Sequence, residues 1–130
     1  MRVLIADDQK NVGTTLAALV TQSGHEVVEL VSSGLEAIQA YARHQPDVVL
    51  MDYWMPRLNG ATACRNILAK YPGARVILIS GAMLSKEIMD AGAIAILKKP
   101  VDLEPLYAAL HKAGAGAVSS DAENTEPAAE

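Results

Sequence analysis

The sequence predicts an α/β fold with a doubly wound, five-stranded parallel sheet, and three observations lead to this prediction. Short apolar runs alternate along the chain with segments whose apolar residues recur every three or four positions. The runs are nearly continuous, which is typical of parallel strands that are buried on both faces. One helical segment separates each run from the next, so right-handed crossovers place helices on both sides of the sheet.

The first strand and helix lie at the N-terminus. Residues 2–6 (RVLIA) form an apolar strand. One helical face then carries Val12, Leu16, Leu19 and Val20. Gly24 stands where a C-cap glycine ends such a helix. The next run, residues 25–31, has acids between its apolar positions, which favours a strand at the edge of the sheet.

The second helix leads into the most informative segment of the chain. Ser32 or Ser33 opens this helix as an N-cap residue. Its apolar face carries Leu35, Ile38 and Ala42. Residues 48–51 (VVLM) form a third strand that is buried on both faces, and Asp52 follows directly. A carboxylate in this place either ends the strand toward solvent or meets a cation there.

The remaining elements complete five strand–helix units. The third helix presents an apolar face of Cys64, Ile67, Leu68 and Tyr71. Residues 75–80 (RVILIS) form the fourth strand, residues 85–91 a short helix, and residues 93–97 (AIAIL) the fifth strand. The last helical face carries Leu103, Leu106, Tyr107 and Leu110.

The length of 130 residues predicts one domain, residues 1–113, followed by a tail, residues 114–130. The tail holds four of the 15 acids and none of the 11 bases, so the charge of the domain is balanced. A balanced domain has no electrostatic footprint for nucleic acid, and we expect no direct nucleic-acid binding. The small, acidic tail is expected to be disordered, either as the end of a stand-alone protein or as the stub of a linker to an effector domain.

The sequence favours a cytoplasmic protein that does not contact a membrane. The first residues, MRVLIADD, lack the long apolar core of a signal peptide, and no apolar run reaches the length of a membrane span. The single cysteine, Cys64, fits a reducing compartment and a place in the core. The three histidines are scattered, and no spacing suggests zinc.

Polar residues follow the strands at one edge of the predicted sheet. They are Asp7 and Asp8 after the first strand, Asp52 after the third, Ser80 at the end of the fourth, and Lys98 and Lys99 after the fifth. Ligands bind at this carboxyl edge in such sheets. Two carboxylates about 4 Å apart repel by about 4 kcal/mol at an effective dielectric constant of about 20, so three of them raise a pKa or recruit a cation.

A magnesium ion fits this group better than the lysines alone. Mg²⁺ takes one or two carboxylates, keeps several waters and leaves positions for phosphate oxygens. With the ion in place, an acidic cleft that would repel phosphate binds it. Asp52 could then act as the nucleophile on a phosphoryl group.

Four motifs, in this order, carry a resemblance to a known family: "ADD", "MDYWMPRLNG", "ILISGA" and "ILKKP". Together they resemble the receiver domain of two-component response regulators, of the chemotaxis-regulator type. The resemblance spans about residues 1–113. It implies a flavodoxin-like (βα)5 fold with strand order 2-1-3-4-5.

The resemblance also implies the roles of the site residues. Asp52 is the expected phospho-acceptor. Mg²⁺, with Mn²⁺ as a possible substitute, is expected on Asp8 directly, on Asp7 largely through water, on Asp52, and on the backbone carbonyl of Trp54. Ser80 takes the place of the switch hydroxyl that hydrogen-bonds the phosphoryl group.

The last motif carries further expectations. Lys99 is the phosphate-contacting lysine, and the Lys99–Pro100 bond is expected to be cis. Lys98 is interpreted as a solvated neighbour. A histidine kinase or a phosphotransfer protein is the expected phosphate donor. Such a domain catalyses its own phosphotransfer and switches the binding of an output partner, but it is not an enzyme in the usual sense.

Two departures from the family pattern concern the output of the switch. Ile96 replaces the Tyr or Phe that usually lies three residues before the lysine. The interval from Ser80 to Lys99 is also shorter than usual by about three residues, nearly one helical turn. We therefore expect a truncated fourth helix.

Two other classes of protein share parts of this pattern. A Mg²⁺-dependent phosphohydrolase acting through an aspartyl phosphate has similar chemistry, but its pattern requires an acid where this chain has Trp54. A flavin- or nucleotide-binding domain would carry a glycine-rich phosphate loop, and no such motif occurs. Trp54 itself is interpreted either as a shield of the acyl phosphate or as a partner contact.

Overall fold

The fold is a single parallel sheet in the expected order. The structure is a computed structural model that describes residues 1–81 and 84–122, with side chains described as far as residue 114. Five strands pair in the order β2-β1-β3-β4-β5. Their bounds are β1 Arg2–Ala6, β2 Glu26–Val31, β3 Val48–Asp52, β4 Val76–Ser80 and β5 Ala95–Lys98. The predicted fold class and strand order are therefore confirmed.

A helix follows each strand, and the helices cover both faces of the sheet. Their bounds are α1 Lys10–Gln22, α2 Gly34–His44, α3 Gly60–Lys70, α4 Lys86–Met89 and α5 Leu103–Ala122. Leu16 of α1 and Leu106 of α5 are buried in one apolar core. Cys64 of α3 and Ile88 of α4 are buried in the other, as the sheet requires when it is covered on both sides.

The burial of each strand follows its place in the sheet. Every residue of β3 and of β4 is buried, because these strands have a neighbour on each side and helices on both faces. The residues of β2 before Val31 are all exposed or half-buried, as the position of this strand at the edge allows. The acids in this segment predict the edge position correctly.

Local capping explains where several helices begin and end. The side chain of Ser33 accepts a hydrogen bond from the Glu36 amide and caps α2. Asn59 and Ser85 cap α3 and α4 in the same way. Gly24, just past the end of α1, has a φ of +89°, a conformation that favours glycine.

Helix α4 is unusually short, and helix α5 is longer than the sequence predicts. Helix α4 has only four residues, as the short interval between Ser80 and Lys99 predicts. Helix α5 continues to Ala122, beyond residue 113 where the sequence places the end of the domain. Alanines are frequent in this extension, and alanine has the highest helix propensity. Residues 123–130 of the predicted disordered tail lie outside the described residues, so that part stays a prediction.

Candidate functional site

The strand register brings the predicted site residues to one edge of the sheet. Ala6 of β1 pairs with Met51 of β3, so Asp7 and Asp52 extend side by side beyond that pair. Asp52 pairs in turn with Ile79 of β4. Ser80 pairs with Lys98 of β5, one residue before Lys99. The parallel arrangement thus gathers residues that are far apart in the chain.

Three carboxylates converge at this edge. Asp7, Asp8 and Asp52 each offer an oxygen, and these oxygens all lie within 4.8 Å of one another. Asp7 and Asp52 are each only 2% exposed, whereas Asp8 is exposed. Two of the three carboxylates that would hold an ion are therefore buried, and the third faces solvent.

A single lysine lies against the two buried carboxylates. Lys99 Nζ is 3.2 Å from Asp52 Oδ1 and 3.5 Å from Asp7 Oδ2. The neighbouring Lys98 is exposed. One cation shared between two buried anions offsets only part of their charge.

The hydrogen bonds of Asp7 indicate whether the three carboxylates could hold a metal ion. Asp7 Oδ1 accepts a hydrogen bond from the Gln9 amide at 2.8 Å. Asp7 Oδ2 is buried and accepts no hydrogen bond from any described residue. This oxygen has an ion-pair contact with Lys99 at 3.5 Å but makes no hydrogen bond to a described residue, and beside two further carboxylates it matches the hard oxygen ligands that Mg²⁺ prefers. The residues present therefore fit a divalent cation.

The surroundings of Asp52 raise its pKa to about 6. Burial of the charged form is the main cause, and the negative charge of Asp7 adds to it, while Lys99 opposes both. The carboxylate is therefore still mostly ionised at neutral pH, although it titrates well above an ordinary aspartate. An ionised oxygen is what a nucleophile on phosphorus requires.

The other predicted residues surround an open cleft of about 530 Å³. Ser80, which is 2% exposed, lines it together with Asp52 and Lys99, and the Lys99 amide donates to the Ser80 carbonyl at 2.9 Å. Trp54 also lines the cleft but is 75% exposed. Its backbone carbonyl as a metal ligand stays a prediction. The Lys99–Pro100 bond is cis.

A hydrogen-bonded group centred on Glu87 lies beside the site, and no sequence motif predicts it. The Tyr53 hydroxyl and the Asn59 amide both donate hydrogen bonds to Glu87, 34 and 28 residues away. No local pattern connects such distant positions. Only Asn59 carries a recognisable signal, since asparagine favours helix N-caps.

Within the described ranges, every helix is too short or too polar to cross a membrane.

The geometry of fold and site agrees with a family comparison. The family model described as "Response regulator receiver domain" matches residues 3–111. The chain belongs to this family, which serves two-component signalling. The predicted resemblance is therefore confirmed.

Two curated relatives differ in how much of their own length the match covers. The chain is 35% identical over 116 residues to the chemotaxis protein CheY of Listeria monocytogenes, covering 87% of this chain and 98% of that protein. It is 34% identical over 105 residues to protein-glutamate methylesterase/protein-glutamine glutaminase 3 of Hahella chejuensis. That match covers 77% of this chain but only 30% of the length of the methylesterase.

A solved structure gives the same fold. The CheX–CheY–BeF3–Mg²⁺ complex from Borrelia burgdorferi matches with a TM-score of 0.81 and 29% identity. The match covers 86% of this chain and 87% of that chain. It supports the flavodoxin-like order of strands seen here.

Proposed function

We propose that this chain is a phospho-accepting receiver whose acceptor is Asp52. A histidine kinase or a histidine phosphotransfer protein supplies the phosphoryl group in a Mg²⁺-dependent reaction. The phosphorylated form then binds an output partner, or controls an attached effector domain, differently from the free form. The domain is a switch rather than an enzyme with a turning-over substrate.

One observation carries this proposal: Asp52 lies among the ligands of a candidate metal group and also against a lysine. Its carboxylate belongs to the group of Asp7, Asp8 and Asp52, and Lys99 Nζ lies 3.2 Å from Asp52 Oδ1. A nucleophile next to both a metal position and a fixed cation can attack a phosphoryl group whose negative oxygens those cations neutralise.

The covalent step follows from this arrangement. An oxygen of Asp52 attacks phosphorus and forms an aspartyl phosphate. The bond from phosphorus to the donor histidine nitrogen breaks, and its electron pair returns to the imidazole, which takes a proton from solvent. Lys99 stabilises the charge on the phosphoryl oxygens, and we assign the Ser80 hydroxyl as a hydrogen-bond donor to one of them.

Asp7, Asp8 and Asp52 would hold the metal, with the Trp54 carbonyl as a further ligand. When bound, Mg²⁺ supplies positive charge to the phosphoryl oxygens, and Mn²⁺ would serve in the same way. The BeF3 and Mg²⁺ in the Borrelia complex support this choice of ion. We place the reaction in the cytoplasm, where the free thiol of Cys64 stays reduced.

Intact mass tests the acceptor directly. The chain is incubated with acetyl phosphate, a small phosphoryl donor, with Mg²⁺ or with a chelator. We expect one added phosphate, only with Mg²⁺, and none on Asp52→Asn because the nucleophilic oxygen is replaced by an amide.

The matched control is Asp47→Asn, which changes an exposed carboxylate just before the same strand. This variant is expected to take up phosphate like the unmodified chain. Phosphate that persists on Asp52→Asn would place the chemistry elsewhere. Uptake that does not need a divalent ion would contradict the assigned metal group.

A further inference from the structure

A polar cluster joins the segment after Asp52 to helix α4. The Tyr53 hydroxyl donates a hydrogen bond to Glu87 Oε1 at 2.8 Å. The Asn59 side-chain amide donates to Glu87 Oε2 at 3.3 Å, and Arg65 Nη2 lies 3.6 Å from the same oxygen. We call the Glu87 carboxylate with these three partners the Glu87 clamp.

On one side, the Glu87 clamp includes the residue next to Asp52, the proposed phospho-acceptor. Tyr53 follows Asp52 directly and lines the same cleft. Its amide donates to the Ile79 carbonyl at 2.7 Å, and its carbonyl accepts from the Gly60 amide at 2.7 Å. Gly60 packs so closely that a Cβ there would lie 2.2 Å from the Asp52 carbonyl oxygen. Packing this close transmits a displacement of Asp52 to Tyr53.

The other side of the Glu87 clamp is a helix that cannot hold its position alone. Helix α4 spans four residues, and a single helical turn is unstable without outside contacts. Ile88, 1% exposed, anchors it in the apolar core. Glu87 gives it a polar link to the segment around the acceptor. Met89, 62% exposed, shows that the outer side of α4 faces solvent.

We propose that the Glu87 clamp is the conformational link that couples the state of Asp52 to helix α4. Tyr53 and Glu87 act as positioning residues in this link. The inference rests on the proposed function, because it needs a free and a phosphorylated state of Asp52. A phosphoryl group adds negative charge and volume to the cleft that Tyr53 lines, and the Tyr53–Glu87 hydrogen bond responds to any shift of the ring.

Two features make this link suitable for switching. The Glu87 side chain is 38% exposed, so water can replace its partners at little cost, and the contact can form or break without unfolding the core. The residue at position 96 on β5 is isoleucine, which has no hydroxyl and cannot make a hydrogen bond like that of Tyr53 to Glu87. Tyr53 supplies an aromatic hydroxyl between the acceptor and α4 instead.

Amide hydrogen exchange of helix α4 tests the link on the full chain. The amides of Ile88, Met89 and Asp90 form the hydrogen bonds of this turn. Their exchange rates are measured by NMR with and without acetyl phosphate and Mg²⁺, in the unmodified chain, Tyr53→Phe and Glu87→Gln. Intact mass on the same samples gives the phosphate occupancy, and the rates are compared at equal occupancy.

We expect phosphorylation to change these exchange rates by about fivefold or more in the unmodified chain, and by less than about twofold in either variant. Tyr107→Phe and Glu104→Gln, which make the same chemical changes at exposed positions of α5, should keep the full response. A contact that only supports the fold would alter exchange equally in both states and leave the response unchanged.

The outcomes separate the two proposals. A full response in Tyr53→Phe and Glu87→Gln, or no response in the phosphorylated unmodified chain, overturns the Glu87 clamp and leaves the phospho-acceptor proposal standing. Absence of phosphate on the unmodified chain overturns both. A response lost in the two α5 controls as well would also overturn the clamp, because the effect would then not depend on the Tyr53–Glu87 contact.

Discussion

Lys99 and Asp52 set the charge balance of the site at the scale of single residues. Lys99 Nζ lies between Asp52 Oδ1 at 3.2 Å and Asp7 Oδ2 at 3.5 Å. Among the described residues, Lys99 is the one cation in ion-pair contact with this group of three carboxylates, so negative charge remains where two of the acids are buried. Burial, with a smaller contribution from the charge of Asp7, raises the pKa of Asp52, and the uncompensated negative charge makes the group a good receptor for a divalent cation. The features that favour metal binding thus have a cost, because they lower the stability of the metal-free protein.

That cost predicts that Asp52→Asn stabilises the metal-free protein. Folding raises the pKa of Asp52 to about 6, so the folded state holds this proton more tightly than the unfolded state, where the pKa is near an ordinary 3.8. The free energy of unfolding therefore falls as pH rises from about 4 to about 6, and the full penalty applies above that. We expect the variant to gain about 1–3 kcal/mol at about pH 7.5 in a chelator.

Urea unfolding at two pH values checks this expectation. The gain should shrink toward zero at about pH 3 and below, where Asp52 is largely protonated in both the folded and the unfolded state. Asp47→Asn, at an exposed carboxylate, should show no such pH-dependent gain. An equal gain for Asp52→Asn at both pH values would mean that charge burial is not its cause.

At the scale of elements, the start of α3 is packed against the end of β3. The Gly60 amide donates to the Tyr53 carbonyl at 2.7 Å, and Asn59 caps the helix by accepting from the Thr62 amide. Only the absence of a side chain at Gly60 allows this approach, because a Cβ would lie 2.2 Å from the Asp52 carbonyl oxygen. The loop that carries Trp54 is held between these two ends.

Gly60→Ala should therefore damage both stability and phosphorylation. The added methyl meets backbone, which cannot move aside as a flexible side chain can, so we expect a loss of about 1–3 kcal/mol in the free energy of unfolding. The shifted Asp52 should also accept phosphate at least about tenfold more slowly, since nucleophile alignment is sensitive to small displacements.

Denaturant unfolding and the rate of phosphate uptake by mass measure the two effects. Gly73→Ala is the matched control, because nothing lies within 4 Å of the added Cβ at that position. Gly73→Ala should change neither quantity appreciably. If Gly60→Ala behaved like Gly73→Ala, the close packing of α3 on β3 would not be what holds Asp52.

At the scale of the whole molecule, the proposed acceptor site depends on how the parallel strands pair across the sheet. Site residues come from the ends of β1, β3, β4 and β5, and their positions are fixed by strand register. Binding of a metal ion should therefore stabilise the entire fold, because the three carboxylates come together only in the folded state.

We expect the free energy of unfolding to rise by about 1.4 kcal/mol for each tenfold increase in Mg²⁺ above its dissociation constant. Denaturant unfolding at constant ionic strength measures this slope. Asp8→Asn removes an exposed ligand, so it should fold normally in chelator but respond only at higher Mg²⁺. If stabilisation of Asp8→Asn began at the same Mg²⁺ concentration as in the unmodified chain, Asp8 would not belong to the metal group.

Much of the fold could be predicted because its signals are local. The apolar run before Asp52 identifies a buried strand without reference to the rest of the chain, and the acids between residues 25 and 31 mark the edge strand. Ser33 as a helix cap is a signal of the same kind. The extension of α5 to Ala122 was missed, because composition alone does not distinguish an alanine-rich tail from a continuing helix.

The sequence by itself determined the order of the elements, the carboxyl-edge position of Asp7, Asp52, Ser80 and Lys99, and, through its motifs, the family. Periodicity and strand ends are properties of neighbouring residues, so they can be read along the chain. Only the tertiary structure decided that one lysine contacts both buried aspartates and that Glu87 gathers Tyr53 and Asn59. Contacts across dozens of residues depend on how strands align and loops pack, and no local pattern encodes those distances.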